Sequence, residues 1–373
     1  MANTYTAIVQ DLVGAMLPQL RANSVMPRLV NTDYSPLAAN PTTKIRVPTT
    51  PAASVGAISP GATAPANVDS TYPGVDITLD QWYASEFYLT DKDKAEIGAG
   101  RIPQRAAASL AAVVDHIDAA IYTAGKNYAS RAVGTATTTP FATLALAVDP
   151  MTQLTLNKAS KMGRHVVSGA LASANLLSLA TFAESTFTGD VSAMTDGAFN
   201  GNRRVGAQWW ENQNAPVSHT AGGGTSYVAD GAHAIGSTDI LLKTGTGTVL
   251  PGDVVTFAGD TRKYVVTAGT AAAGTISIGA PGLQFGLDDG DAMTITATHD
   301  VDALAFQRDS IAFVSRPSMG SAATATMQAM SDPISGLSLT MEVSRQHYQD
   351  KWSISVLYGT AGVQSEGIIQ VLG

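Results

Sequence analysis

Between Lys44 and Thr90 the chain sets two strand-like ends around a middle that has almost nothing to bury. Ile45 and Val47 stand on one side. On the other, Val75, Ile77 and Leu79 alternate with Asp76, Thr78 and Asp80, the period of a half-buried strand. The stretch between them is broken by Pro48, Pro51, Gly56, Pro60, Gly61 and Pro65 and carries few large apolar side chains. A two-stranded ribbon of this kind is marginal alone in water, because ordering it costs conformational entropy that so little burial does not offset. It needs a surface to lie on. The alternative is a disordered linker, against which the regular alternation of the second strand argues.

Composition points the same way. Lys, Arg, Asp and Glu supply only 14% of 373 residues while 45% are apolar, against about 25% charged in ordinary soluble domains. A surface so short of charge is suited to contact with other subunits. The formal net charge of -8 disfavours nucleic acid as a gripped ligand, since no segment shows the local excess of Lys and Arg that phosphates require. Cysteine is absent, which excludes disulfides, thiolate nucleophiles and cysteine-ligated metals. No run of twenty apolar residues predicts a membrane span, and Met1 to Gln10 lacks the pattern of a signal peptide.

Tyr5, Ile8, Val9, Leu12, Met16 and Leu20 recur at helical spacing, capped by Asn3 or Thr4 and bent or ended by Pro18, which predicts an amphipathic arm. Thr90 and Asp93 resemble a capping box. With Pro103 at a first helical position, Leu110, Val113, Val114, Ile117, Ile121 and Ala124 mark one face of a long helix, about 26 residues or ~39 Å. Asp149 before Pro150 predicts the start of another helix, and His165–Leu171 a buried strand ahead of a short helix near 175–180. From Val217 the texture changes to short strands parted by glycine turns: 239–242, 253–257, 264–267, 275–278 and 293–298. This predicts a separate all-β insertion ending near Asp300, with strands resuming over 305–314 and from Leu337 onward. The class is α+β.

Chemistry-bearing patterns are few. A nucleophile elbow, a P-loop and a zincin helix are all missing. The histidines at 116, 165, 219, 233, 299 and 347 are scattered singly, so local geometry pairs none of them. Asp115, His116 and Asp118 are the densest cluster and read as the solvated or subunit-facing edge of the long helix. Asp288, Asp289 and Asp291 around Gly290 offer oxygens to a calcium ion, but a plain turn needs no ion and the twelve-residue calcium-loop pattern is absent. Trp209 and Trp210 face opposite ways if they lie in a strand, one toward the core and one toward an interface. No catalytic, cofactor-binding or metal residues are assigned.

The order of these elements resembles the major capsid (coat) proteins of tailed bacteriophages, with their HK-97-type fold. Lys44–Asp93 (KIRVPTTPAASVGAISPG, then VDITLDQWYASEFYLTDKD) is similar to that family's extended loop. His165–Leu177 (HVVSGALASANLL) and Gly201–Pro216 (GNRRVGAQWWENQNAP) resemble its axial domain. Leu250–Thr267 (LPGDVVTFAGDTRKYVVT) looks like the β-barrel insertion of the short-tailed-phage branch. Ala303–Pro317 and Gly336–Gly359 match the segments returning to the peripheral domain. The short arm and the tandem tryptophans depart from other members.

The resemblance implies an N-terminal arm (1–43), an extended loop (44–90), the spine helix of a peripheral domain (91–135), an axial domain (136–216), a β-barrel-like insertion (217–300), and a return through both domains (301–373). It implies a non-enzymatic, cofactor-free subunit that forms the pentamers and hexamers of an icosahedral shell, assembles with scaffolding and portal proteins in the host bacterial cytoplasm, and encloses double-stranded DNA in the virion without sequence-specific binding. A decoration protein is left open. Some relatives lock the shell through a lysine in the extended loop. No lysine lies between Lys44 and Lys92, so no such bond is expected here. Two other classes stand beside this one: a carbohydrate- or cell-binding module, resting on the β-rich insertion and the paired tryptophans, and an enzyme whose site forms only in the fold.

Overall fold

The computed structural model describes residues 24–35, 44–49, 60, 74–92, 101–184, 192–215, 217–317, 325–332 and 335–373. The expected arm helix over 5–20, the middle of the ribbon and Asp93 of the capping box lie outside these residues.

The long helix is Arg101–Asn127, 27 residues. Pro103 falls in its first turn, where a missing N–H leaves no intrahelical bond unmade. Leu110, Val113, Val114, Ile117 and Ile121 are buried along the expected stripe. That stripe serves two sheets at once. It packs on Gln349–Gly362 and Gln81–Thr90 of one, and on His299–Gln307 and Ile368–Leu372 of the other, within one continuous apolar cluster. Near its C-terminal end Gly125 lets the backbone come close, for a Cβ there would sit 2.7 Å from the side chains of both Leu304 and Ile311.

The smaller sheet is antiparallel, in the order Ile311–Arg316, Gln349–Gly362, Ser338–Gln346, Ala325–Ser331, with Gln81–Thr90 along the other side of Gln349–Gly362. The larger sheet runs Asn200–Arg204, Ala207–Glu211, Arg164–Ser168, His299–Gln307, Ile368–Leu372, Arg131–Gly134, and on through Lys263–Ala268 to Thr275–Ile278, Asp239–Lys243 and Val228–Ala229. Its central strands Arg164–Ser168 and Ile368–Leu372 are buried at every position, as expected of strands covered on both faces. The long helix covers one face. Helices Leu144–Leu156 and Ala170–Leu177 cover the other, over a second cluster centred on Trp209, Val166 and Ile369. A third cluster, with Tyr227, Ile240, Phe257, Tyr264 and Ile276, belongs wholly to residues 227–295. Among the described residues no helix is long and apolar enough to cross a membrane.

Three expectations change, and the ribbon's need for a surface is met at its base. The helix predicted to start at Asp149–Pro150 begins earlier, at Leu144: the Thr143 hydroxyl accepts from the Leu146 N–H at 3.4 Å, and Pro150 lies buried inside it. The short helix starts at Ala170 instead of near 175, directly after Gly169. Strand His299–Gln307 runs through the boundary expected near Asp300. The base of the ribbon, finally, finds its surface on its own chain: Lys44–Pro48 pairs with Gly74–Thr78, and Ile45, Val47, Ile77 and Leu79 are buried against Ala312, Val314 and Val363.

Truncating the stripe tests the shared core. Ile117→Ala should lower the unfolding free energy by about 2–5 kcal/mol in urea titration, while Ala112→Ser on the exposed side should stay within about 0.5 kcal/mol.

Candidate functional site

The structure assembles one group of ionisable side chains that sequence spacing hides. Strand Val217–His219 pairs antiparallel with the start of His299–Gln307, setting His219 opposite His299 with ring centroids 5.5 Å apart. His219 Nε2 lies 2.8 Å from Asp253 Oδ1 and its Nδ1 3.3 Å from Lys126 Nζ, in the last turn of the long helix. An ammonium only donates, so Nδ1 accepts and Nε2 carries the proton that His219 donates to Asp253. Lys126 also donates to the Ser218 carbonyl at 3.3 Å. Burial works against the Asp253 charge, but hydrogen bonds from His219 and from the Leu250 and Gly222 N–H groups outweigh it and hold the carboxyl below its usual range. Burial lowers Lys126 and His299 alike. The His299 Nδ1–H donates to the Ala297 carbonyl at 2.8 Å, which leaves Nε2 buried without a partner.

Lysine, histidine and carboxylate stand in the order of a proton relay. None of these four side chains lines the hollows of about 250 to 510 Å³ that open on the molecule. The geometry makes the group a tie between the long helix, residues 217–222 and the segment around Asp253. Only the sheet register brings His219 and His299 together, and no local pattern announces it.

Asp118 corrects the solvated-edge reading. Asp115 and His116 are exposed, and His116 Nε2 lies 3.1 Å from the Tyr358 hydroxyl, but Asp118 is fully buried. It follows Val114 by one turn and precedes Ile121 by another, so it belongs to the apolar stripe. Its Oδ2 accepts from the Val25 N–H at 3.2 Å and from Asn212 Nδ2 at 3.3 Å. Burial dominates and pushes the carboxyl up to about 7. A raised carboxyl favours the fold while protonated, so its contribution is complete below the unfolded value of 3.8 and lost as pH rises through about 7. Asp118→Asn should therefore match the parent at acidic pH and exceed it at pH ~8 by about 1–4 kcal/mol, read from urea midpoints of the unassembled chain.

The tryptophans do face opposite ways. Trp209 is buried edge-on to Phe141 and Phe182, at 5.6 and 5.1 Å, and its indole N–H donates to the Arg204 carbonyl at 3.0 Å. Trp210 is half-buried and packs on the helix-side cluster with the Arg28 guanidinium 5.8 Å above its ring. Gly201, at φ +82°, makes room for it, since a Cβ would fall 2.9 Å from the ring. With Trp209 fully buried and Trp210 on the opposite face of the strand, the two rings present no joint stacking platform for a sugar. Around Gly290, Asp289 pairs with Lys243 and accepts from the Gly231 N–H at 2.7 Å, and Asp291 accepts from the Asp288 N–H at 2.8 Å. Among the described residues no three His, Asp or Glu side chains group to hold a metal ion. His165 lies tilted against Phe306 with ring centroids 5.9 Å apart, and burial followed by the Arg308 charge brings it down to about 4.

The outer surface offers a contact edge. Gln81–Thr90 is paired along one side among the described residues, and Trp82 is 68% exposed, with Tyr83 and Tyr88 each at 45%. Unpaired strand edges present N–H and C=O groups to any incoming strand. Beside this edge a hollow of about 510 Å³ runs along Tyr83, His116, Ala120, Ala124 and Tyr358.

No protein-family model and no curated protein matches the sequence. Solved structures do. The chain is similar to one of Mycobacterium phage Che8 at 16% identity and a TM-score of 0.53, covering 94% of this chain and 91% of that one. A chain from the capsid of cyanophage P-SCSP1u aligns at 13% identity and TM-score 0.47, over 89% and 83%. One from the Pyrococcus furiosus virus-like particle aligns at 10% and 0.41, over 97% and 98%. At these identities the likeness is one of fold: the chain shares its architecture, nearly end to end, with the chain of phage Che8.

Proposed function

We propose that this chain is a structural, shell-forming subunit of a phage particle. More particularly, it is the major capsid protein of a tailed bacteriophage, built on the HK-97-type fold with a β-rich insertion. The carrying observation is the near full-length similarity to the Mycobacterium phage Che8 chain, joined to the loop, spine and return segments of the sequence. The low charge fraction, the one-sided strand edge and the exposed Trp82 support a surface made for other copies.

In this reading the arm is 1–43, the extended loop 44–90, the spine segment 91–135, the axial domain 136–216, the insertion 217–300 and the return 301–373. The 227–295 cluster supports the insertion as a unit, although its strand Lys263–Ala268 also pairs with Arg131–Gly134. Because the ribbon base rests on its own body, bridging between copies falls to the residues beyond it. Pentamers and hexamers close the shell through many weak contacts. Scaffolding and portal proteins are the assembly partners, DNA is the enclosed cargo, the host bacterial cytoplasm is the site of assembly, and no reaction is catalysed.

Electron microscopy of the purified chain should show shells or large assemblies, and deletion of 55–72 should leave the circular dichroism spectrum intact while abolishing shells. Normal shells from the deletion would remove the bridging role; a compact monomer from the parent would remove the whole reading. Denaturing electrophoresis of mature particles should give a single monomer band, and a ladder of covalent oligomers would contradict the absence of a loop lysine bond.

A further inference from the structure

Sequence alone shows no basic segment, yet the fold gathers one. Lys161 and Arg164 precede and open strand Arg164–Ser168, whose neighbour Ala207–Glu211 forms a hairpin with Asn200–Arg204, bringing Arg203 alongside. Two adjoining hollows, about 250 and 480 Å³, share Lys161, Arg164, Arg203 and Gly206 in their linings, and no Asp or Glu lines either. Among the described residues none of the three cations forms an ion pair.

Arg164 is 6% exposed. Its guanidinium donates to the Ser160 and Ala159 carbonyls at 2.8 Å each, to Thr155 Oγ1 at 3.0 Å and to the Met151 carbonyl at 3.4 Å. All are neutral acceptors. They fix four of its five N–H groups and leave the charge uncompensated. Burial accordingly lowers the Arg164 pKa. Lys161 and Arg203 are exposed and free to swing toward an anion held over it.

We propose that this double hollow binds a phosphoryl oxyanion, with Arg164 as the fixed charge and Lys161 and Arg203 as closing arms. Three converging cations suit a multiply charged tetrahedral anion better than a single carboxylate. The larger hollow adds Met151, Leu156 and Val205, an apolar wall for the organic part of a phosphate ester. This goes beyond the shell-subunit reading and does not depend on it, because binding is read on the full chain whatever its state of assembly.

Isothermal titration with inorganic phosphate, at constant ionic strength set by chloride, should give saturable binding to the full chain. Lys161→Met combined with Arg203→Met, both at exposed positions, should weaken it at least about tenfold with an unchanged circular dichroism spectrum. Lys161→Arg combined with Arg203→Lys should restore most of it. A short DNA duplex that displaces the phosphate would identify nucleic-acid backbone as the source of the phosphoryl group; phosphate retained against the duplex would identify a small phosphate ester. Equal binding by parent and Met variant, or no saturable binding by the parent, would overturn the site.

Discussion

The molecule depends on one helix having two sheets to cover. A helix buried on a single stripe ordinarily closes one layer, but Arg101–Asn127 meets Gln349–Gly362 on one side and His299–Gln307 on the other, and its side chains belong to the same cluster as both. On the side that faces the helix, both sheets share the one core it completes. The close approach at Gly125, where Leu304 and Ile311 occupy the place of a side chain, sets the distance between helix and sheets near its C-terminal end.

Around that helix the buried polar groups do the aligning. Asp118 holds the Val25 backbone and Asn212 against the spine, and Lys126 reaches Asp253 through His219. Buried charges are costly, and their geometry is demanding because each must find every partner it lost in water. Apolar packing alone would tolerate sliding along the helix. These hydrogen bonds select one position, at the price of sensitivity to pH.

Much of the architecture was legible in the sequence because it rests on periodicity. The apolar stripe of the helix, the alternation of 75–80 and the short strands of 239–278 all carry the spacing of the elements they form. What stayed hidden depends on tertiary register. His219 meets His299 across eighty residues only because two strands pair, and Arg203 joins Arg164 only because a hairpin lies beside Arg164–Ser168. Asp118 is a different case. Its place in the stripe was readable from its distance to Val114 and Ile121, and its charge argued for solvent where burial prevailed. Pro150 misled in the same manner, for the Thr143 cap fixed the helix start and the proline was accommodated inside.

Lys263 and Tyr264 of the β lobe pair with the strand that follows the helix, while Lys126 clamps the lobe's other root at Ser218. The lobe is thus geared to the helix axis at two points instead of hanging from a swivel. Torque applied to it from outside passes as shear into the spine, so reorienting the lobe means turning the helix with it.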